Sequence, residues 1–395
     1  MPGTTAAVLG QQIETARYAA GLTRRQVCDA SGVSISMLRK VERGERRPSD
    51  QVLETLARAV RSTPEDLLGG TRRTDSRVHR DIPALRRVIA AYDLPEDGPV
   101  RPLQQIAADV EAAVEDRVEA RYARLGDRAP GLLAELFRAV DQAPDGRERA
   151  SAARLLALAV RSADAVAYKY GYHDLSGRLV ELMRWASKLV NDPALDAAAA
   201  YVRTEVFFAA QQLGSGLRAL RAAVDQMPAP SSERLAAAAA ALHMRAAVVA
   251  DRMQGADDAR LHLREAEALA SQVRERLYDG TAVGPDSLEV HRLAVAVELG
   301  EPEDLREAVS AATRWAPPRD LPAERRSHYY IDLSRAQVQL GRPQHAAESL
   351  LVARQIAPQH VRAHEQVRAE LATMVRLTRG RDTRVMALAR WAKAV

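Results

Sequence analysis

Residues 21–44 read GLTRRQVCDASGVSISMLRKVERG, and this stretch decides the fold of the N-terminal part of the chain. Thr23 is a favourable N-cap, and Gln26 three residues later can reach back to its backbone amide, so a helix begins there with a capping box. Gly32 suits a left-handed backbone in a turn, and Ser34 caps a second helix. The stretch therefore predicts two short helices joined by a tight turn, a geometry that fits one helix into a groove of DNA.

The second of these helices has one buried side and one exposed side. Leu38 and Val41 stand three residues apart and supply its buried stripe. That spacing turns four residues away from the core, namely Ile35, Ser36, Arg39 and Lys40. The flanking sequence predicts three further short helices, of which the last two begin near Ser49 and Thr63.

About the first 70 residues resemble the Xre family, the lambda-repressor-like DNA-binding domains. The resemblance rests on Leu22-Thr23, the turn Gly32-Val33-Ser34, the pattern Leu38-x-x-Val41-Glu42 and the exit Gly44-x-x-x-Pro48-Ser49. It implies a five-helix domain at residues 1–70 that binds a double-stranded DNA operator. One position departs from the family, because Arg24 stands where the family usually has Gln.

The charge distribution supports DNA contact at this end of the chain. The first 80 residues hold 14 Lys and Arg against 9 Asp and Glu, whereas the remaining 315 hold 43 of each, so the whole net charge of +5 lies here. A basic cluster is usually a solvated face, but its coincidence with a complete helix-turn-helix favours phosphate contacts whose strength falls with salt. We expect contacts to bases from Ser34, Ile35, Ser36 and Arg39, and contacts to the DNA backbone from Arg24, Lys40, Arg43 and Arg46. Thr23 is a further candidate for contact with DNA.

The composition of the other 325 residues indicates helices rather than sheets. The chain has only 3 Phe and 3 Trp, and it is rich in Ala and Leu. Cys28 is the only cysteine, which excludes an internal disulfide and fits a reducing compartment. No apolar run approaches the roughly 18 residues of a membrane span, and the N-terminus lacks the pattern of an export signal. We therefore expect a cytoplasmic protein that does not enter a membrane.

Glycines recur at a regular interval along the second part of the chain. They interrupt helical patterns at positions 126, 171, 214, 255, 300 and 341, which lie 41 to 45 residues apart. A period of this length indicates stacked helical hairpins. The clearest unit resembles a tetratricopeptide repeat and comprises Tyr330, Leu333, Gly341, Ala346, Leu350, Ala353 and Pro358. The predicted fold class is therefore all-α: the five-helix domain, a linker with a short helix at residues 71–100, and an α-solenoid of tetratricopeptide-like hairpins at residues 101–395.

This two-part plan resembles bacterial regulators, of which the best understood are similar to peptide-pheromone receptors. The resemblance implies a homodimer whose repeats bind a peptide or small-molecule effector on their concave face. Residues 281–300 look like a stretch common in such regulators, although Ser287 stands where an Asn is often found. The candidate ligand-binding residues are Tyr201, Arg203, His291, Arg292, Tyr329 and Tyr330, with side-chain packing as the alternative role for the tyrosines.

An enzymatic function has little support in the sequence. Gly214-Ser215-Gly216 lacks the third glycine of a phosphate-binding loop. His360 and His364 stand one helical turn apart, as zinc ligands can, but no third ligand is evident, and we interpret them as a solvent-facing pair. We expect no catalytic residue, cofactor or metal site. Two alternatives to an effector-controlled regulator stay open: a ligand-independent dimeric regulator, and an adaptor that tethers another protein to DNA.

Overall fold

The computed structural model describes residues 5–68 and 76–395, and these residues are predominantly helical. The chain forms two compact units. The first comprises residues 1–74, 337–351 and 361–395, and the second comprises residues 75–336 and 352–360. The sequence predicted contiguous domains at 1–70 and 101–395. The structure differs, because C-terminal segments belong to the same compact unit as the N-terminal helices.

The helices that begin before residue 200 are α1 (Ala6–Ala19), α2 (Arg24–Ser31), α3 (Ile35–Glu42), α4 (Asp50–Ala59), α5 (Pro64–Leu67), α6 (Ser76–Ala90), α7 (Leu103–Val118), α8 (Tyr122–Asp141), α9 (Gly146–Lys169), α10 (His173–Val190) and α11 (Pro193–Ala209). The later helices are α12 (Leu213–Asp225), α13 (Glu233–Arg252), α14 (Ala256–Ala270), α15 (Pro285–Leu299), α16 (Pro302–Ala311), α17 (Ala323–Gln339), α18 (Pro343–Ile356), α19 (Pro358–Ala363), α20 (Glu365–Leu377) and α21 (Thr383–Trp391). No helix among the described residues combines the length and the apolarity needed to cross a membrane.

The five N-terminal helices α1 to α5 confirm the reading of residues 21–44 and their flanks. The capping box between Thr23 and Gln26 is present at the start of α2. Gly32 has φ +72° at the end of α2, and the Ser34 side chain accepts a hydrogen bond from the Met37 amide at the start of α3. The helices enclose a small core that includes Leu9, Ile13, Val27, Leu38, Val41, Leu53 and Leu56.

Helix α20 packs against α1 within the first unit. Arg376 donates a hydrogen bond from Nη1 to Thr15 Oγ1 at 2.8 Å. A side chain at Gly380 would meet the Tyr18 carbonyl oxygen at 2.6 Å, so the backbones approach closely there. The N-terminal helices are therefore not an isolated module within their unit.

Helix α6 is longer than predicted and belongs to the core of the second unit. The sequence predicted only a short helix within a linker at residues 71–100, but α6 has 15 residues. Its apolar residues Val78, Ile82, Leu85 and Ile89 are buried in the core shared with α8. The predicted linker residues 71–75 lie outside the described part of the chain.

Consecutive helices of the second unit pack in pairs, among them α9 with α10, α11 with α12, α13 with α14 and α15 with α16. Gly171 and Gly300 have positive φ in the turns of two such pairs, at +79° and +70°. Gly126 does not fit the predicted glycine pattern, because it lies inside α8 rather than at a helix end. The core is dominated by Ala and Leu, as helices in close contact require.

A two-stranded antiparallel hairpin interrupts the helices, and the all-α prediction missed it. Strand β1 (Arg276–Tyr278) pairs with β2 (Thr281–Val283), with Tyr278 opposite Thr281. The turn residues Asp279 and Gly280 both have positive φ, at +45° and +78°. This is the backbone that two-residue hairpin loops require, and Asp-Gly is a favoured sequence for it.

Candidate nucleic-acid interface

One side of α3 is exposed, as the sequence predicted. Ser34, Ile35, Ser36, Arg39 and Lys40 are all exposed, while Leu38 and Val41 on the other side are buried. Ile35 exposes 44% of its surface, so its side chain is available on this side of α3. A short apolar side chain beside hydroxyls and a guanidinium can contact base edges in a major groove.

The basic residues around the end of α3 are available to an outside anion. Arg39, Lys40 and Arg46 form no ion pair with any residue in the described ranges. Arg43 lies 3.1 Å from Glu45, but its side chain remains 62% exposed, and such an exposed pair contributes little. The cluster therefore offers several cations to phosphates close to the exposed face of α3.

Two of the predicted DNA-contacting residues have structural partners. Arg24 forms ion pairs with Glu42 and, at 3.3 Å, with Glu14, and 38% of its side chain is exposed. The sequence had treated this guanidinium as a free phosphate ligand, whereas here it ties α2 to α1 and α3. Thr23 is exposed, but its hydroxyl is engaged in the capping box with Gln26.

A buried ion pair fixes α3 to α1. Arg17 Nε lies 2.6 Å from Glu42 Oε1, and both side chains are almost wholly inaccessible. Burial alone lowers the pKa of Arg17, but the hydrogen bond to Glu42 and the interaction with Tyr18 outweigh it, so the pKa is raised. Arg17 also donates to the Leu22 carbonyl at 3.2 Å. The end of α3 is thus held rigidly relative to α1 and to the start of the turn before α2.

Gly10 allows α1 and α3 to cross closely. A Cβ atom built on Gly10 would lie 2.2 Å from the Val41 carbonyl oxygen and 2.8 Å from that of Glu42. Both neighbours are backbone atoms, so they cannot move aside as a flexible side chain would. Sequence analysis missed Gly10 and the Arg17–Glu42 pair, because their partners lie about 25 to 30 residues away and no local pattern marks them.

Two of the candidate ligand-binding residues, Tyr201 and His291, are buried in the second unit and meet the same guanidinium. Arg325 Nη2 donates to Tyr201 Oη at 3.2 Å, and Arg325 Nη1 lies 3.5 Å from His291 Nε2. Burial lowers the pKa of His291 well below its usual value, and the charge of Arg325 lowers it further. The sequence named Tyr201 and His291 but missed Arg325, which joins them.

The other four ligand-binding candidates lie in different surroundings. Arg203 stacks on Phe207, and Arg292 is exposed and paired with Glu267 at 2.7 Å. Tyr329 is buried against Trp315 and Tyr330. Tyr329 and Tyr330 thus pack against neighbouring rings, and ligand binding by these four residues stays a prediction.

Ser287 has a clear structural partner. Its amide and its hydroxyl donate to the two carboxylate oxygens of Glu275, at 2.9 Å and 2.6 Å, in the first turn of α15. The residue is fully buried there. The hydroxyl of Ser287 therefore takes part in a local hydrogen bond that stabilises the fold.

The prediction that His360 faces solvent is wrong. His360 is 1% exposed, and its Nδ1 lies 3.3 Å from the Tyr122 hydroxyl. Burial lowers the pKa of His360 well below its usual value, and the charge of Lys169 lowers it further. The sequence could not show this, because His360 lies on the six-residue helix α19, which is too short for an apolar period to mark a buried side.

The comparisons with known proteins concern the N-terminal helices. Residues 8–68 match the family described as "Helix-turn-helix domain". Over 58 residues the chain is 43% identical to an uncharacterized HTH-type transcriptional regulator of Mycobacterium tuberculosis strain H37Rv. This alignment covers 15% of this chain and 41% of that protein. Over 103 residues it is 29% identical to the transcriptional regulator ClgR of the same strain, which covers 25% of this chain and 92% of ClgR. No solved structure matches the chain.

The chain therefore carries a helix-turn-helix domain, and its similarity to named regulators supports DNA-binding transcriptional regulation. The chain spans less than half the length of the uncharacterized regulator. The alignments cover a quarter of this chain or less, so most of the chain lies outside them.

Proposed function

We propose that this protein is a sequence-specific transcription regulator of the Xre type that acts in the cytoplasm. The observation that carries the proposal is the exposed face of α3, where Ile35, Arg39 and Lys40 project from a helix held by the buried Arg17–Glu42 pair. A rigid helix with an exposed apolar and basic side is what reading of a major groove requires.

Contacts to bases and contacts to the DNA backbone have different residues in this proposal. Ser34, Ile35, Ser36 and Arg39 read base edges, because they occupy the first turns of the exposed helix. Lys40, Arg43 and Arg46 neutralise phosphates and fix the register. Arg24 supports the site through its ion pairs with Glu42 and Glu14 rather than as a main phosphate ligand.

The second part of the proposal is that the protein acts as a homodimer and that its helical unit senses an effector. The paired helices of the second unit support a tetratricopeptide-like arrangement, in which alternate helices line a common inner face. Binding of an effector to that face would favour one spacing between the two DNA-binding heads of a dimer. Half-sites would lie one DNA turn, about 34–36 Å, or a multiple of it apart.

Selection of bound duplexes from a randomised DNA library tests this function. The proposal predicts enrichment of an inverted repeat by the wild-type protein and loss of one position of the motif with Arg39→Ala. A single half-site would contradict the dimer, and no enriched motif would contradict sequence-specific binding. Operator affinity that stays the same with and without extract of the producing culture would favour the ligand-independent regulator.

A further inference from the structure

Alternate helices of the second unit direct one polar side chain each into a single cluster. Its members are Arg117 on α7, Arg161 on α9, Tyr201 on α11, Arg245 on α13, His291 on α15 and Arg325 on α17. Mutual electrostatic interactions connect them, since Arg161 interacts with Arg117, Tyr201 and Arg245. Each of the odd-numbered helices from α7 to α17 contributes one member, so these helices converge on the same region of the second unit.

Tyr201 stands at the centre of this cluster. Its hydroxyl accepts from Arg325 at 3.2 Å, and the guanidinium carbon of Arg245 lies 4.0 Å from its ring centroid. The guanidinium carbon of Arg161 lies 5.7 Å from the centroid of the same ring. Burial raises the pKa of Tyr201, but Arg245, Arg325 and Arg161 outweigh it and bring the pKa to about 8. Three cations thus surround one buried phenol.

Three arginines of the cluster, Arg117, Arg161 and Arg325, donate to neutral acceptors instead of carboxylates. Arg161 donates to the Asp279 carbonyl at 2.6 Å and to the Thr281 hydroxyl at 2.7 Å, and Arg117 donates to the Gly280 carbonyl. Both therefore hold the turn of the β-hairpin. Among the described residues, neither they nor Arg325 form an ion pair, and the nearest carboxylate of Arg245 is Glu205 at 3.9 Å.

Nearby acids compensate only part of this positive charge: Glu205 interacts with Arg117 and Arg161, and Glu324 interacts with Arg117 and Arg325. Burial raises the pKa of Asp164 well above its usual value, and the neighbouring Glu205 raises it further, so both favour the neutral form of Asp164. Glu324 is paired with Lys169 at 2.8 Å. The Nε atoms of Arg117 and Arg245 are buried and have no hydrogen-bond partner in the described structure. Buried cations whose charge is only partly compensated destabilise a fold, and an added anion relieves this cost.

We propose that this cluster is an effector site that binds an oxyanion, a carboxylate or a phosphate, through Arg245 and Arg325, which both contact Tyr201, with Arg161 beside them. Guanidinium groups present paired N–H donors that match two oxygens of such a ligand. The hairpin turn already shows the matching chemistry, since two arginines of the cluster bind its oxygen atoms. The proposal depends on the proposed function only for its regulatory consequence, because binding of the anion requires no DNA.

Binding of two probe anions to the full-length protein tests the site. Isothermal titration calorimetry with citrate and with inorganic pyrophosphate shows whether carboxylate or phosphate is preferred, and trehalose serves as a neutral control. We expect Arg325→Gln and Arg245→Gln each to weaken binding at least tenfold. Arg221→Gln is the matched control, because it removes an exposed arginine of the same unit that is not a candidate for ligand binding. Circular dichroism at 222 nm checks that each variant is folded.

A second readout needs only wild-type protein and Tyr201→Phe. Absorbance at 295 nm follows formation of tyrosinate, and a bound anion should raise the pH at which the Tyr201 phenolate forms, since it neutralises the cations that favour it. A wild-type protein that binds neither anion at 10 mM would overturn the proposal, as would folded arginine variants that bind like the wild type. Anion binding with unchanged operator affinity would leave the site in place and contradict effector control.

Discussion

Arg17 and Glu42 form a buried ion pair whose atoms Nε and Oε1 lie 2.6 Å apart, and the two residues lie 25 positions apart in the sequence. Glu42 ends α3 and also binds Arg24 on α2, so one carboxylate ties three helices together. The exposed side of α3 is held in place by the ion pairs that Glu42 forms on the buried side of the helix. DNA recognition therefore depends on residues that never touch DNA.

Removal of Glu42 should be far more damaging than removal of its exposed neighbour. Glu42→Ala leaves the Arg17 guanidinium buried without its carboxylate, and we expect a loss of about 3–5 kcal/mol in the free energy of unfolding. Glu45→Ala, which removes an exposed partner of Arg43, should cost about 0–1 kcal/mol. Urea denaturation followed by circular dichroism measures both. Equal losses of unfolding free energy in the two variants would show that the Arg17–Glu42 pair does not stabilise the domain.

Two glycine-to-alanine changes should have opposite signs. Gly10→Ala places a Cβ against the backbone of α3, so we expect destabilisation of about 1–3 kcal/mol and weaker DNA binding. Gly131→Ala, in α8, meets no atom within 4 Å and should stabilise the protein by about 0.5–1 kcal/mol, since alanine loses less entropy in a helix. Thermal melting of both variants checks the signs. A stable Gly10→Ala with normal DNA binding would rule out a tight crossing of α1 and α3.

Asp251 should make stability depend on pH. It is 1% exposed on α13, neither carboxylate oxygen has a hydrogen-bond partner in the described structure, and burial and then Glu298 raise its pKa to about 7. The unfolded pKa is about 3.9, so the folded state binds more protons between pH 4 and 7, and stability falls as pH rises through that window.

Asp251→Asn should therefore gain stability over the wild type as pH rises from about 4 to 7, with a constant difference above that range. Urea denaturation at several pH values measures the difference. Asp257→Asn, which changes a fully exposed carboxylate, is the control and should show a flat difference. A flat difference for Asp251→Asn as well would mean that its carboxylate is solvated in the folded protein.

Lys40 should act through phosphates alone. Lys40→Ala should weaken binding to all duplexes by a similar factor and reduce the slope of log affinity against log salt by about one unit. Fluorescence anisotropy at several salt concentrations, on selected and scrambled duplexes, gives both numbers. A change confined to the selected duplex would instead assign Lys40 to a base.

Local sequence signals predicted the parts of the structure that local interactions determine. The Thr23–Gln26 capping box, the left-handed Gly32 and the Ser34 cap are each settled within three or four residues, and all three are present. The exposed side of α3 followed from the spacing of Leu38 and Val41.

Long-range contacts could not be predicted in this way. Arg325 meets Tyr201 across 124 positions, and Arg376 meets Thr15 across 361. The β-hairpin was missed although Asp279-Gly280 is a turn signal, because its strands have only three residues each and show no alternating pattern. His360 was misassigned because its burial depends on Tyr122, which is 238 residues away.

The specificity ratio of Arg39→Ala tests whether the exposed side of α3 reads DNA. The measurement is the Kd for the selected operator and for a scrambled duplex, both at 150 mM salt, for wild type and variant. We expect Arg39→Ala to lose about 1–3 kcal/mol of operator binding, with little change on the scrambled duplex and relaxed preference at one base pair. An unchanged ratio of the two Kd values in a folded variant would contradict it.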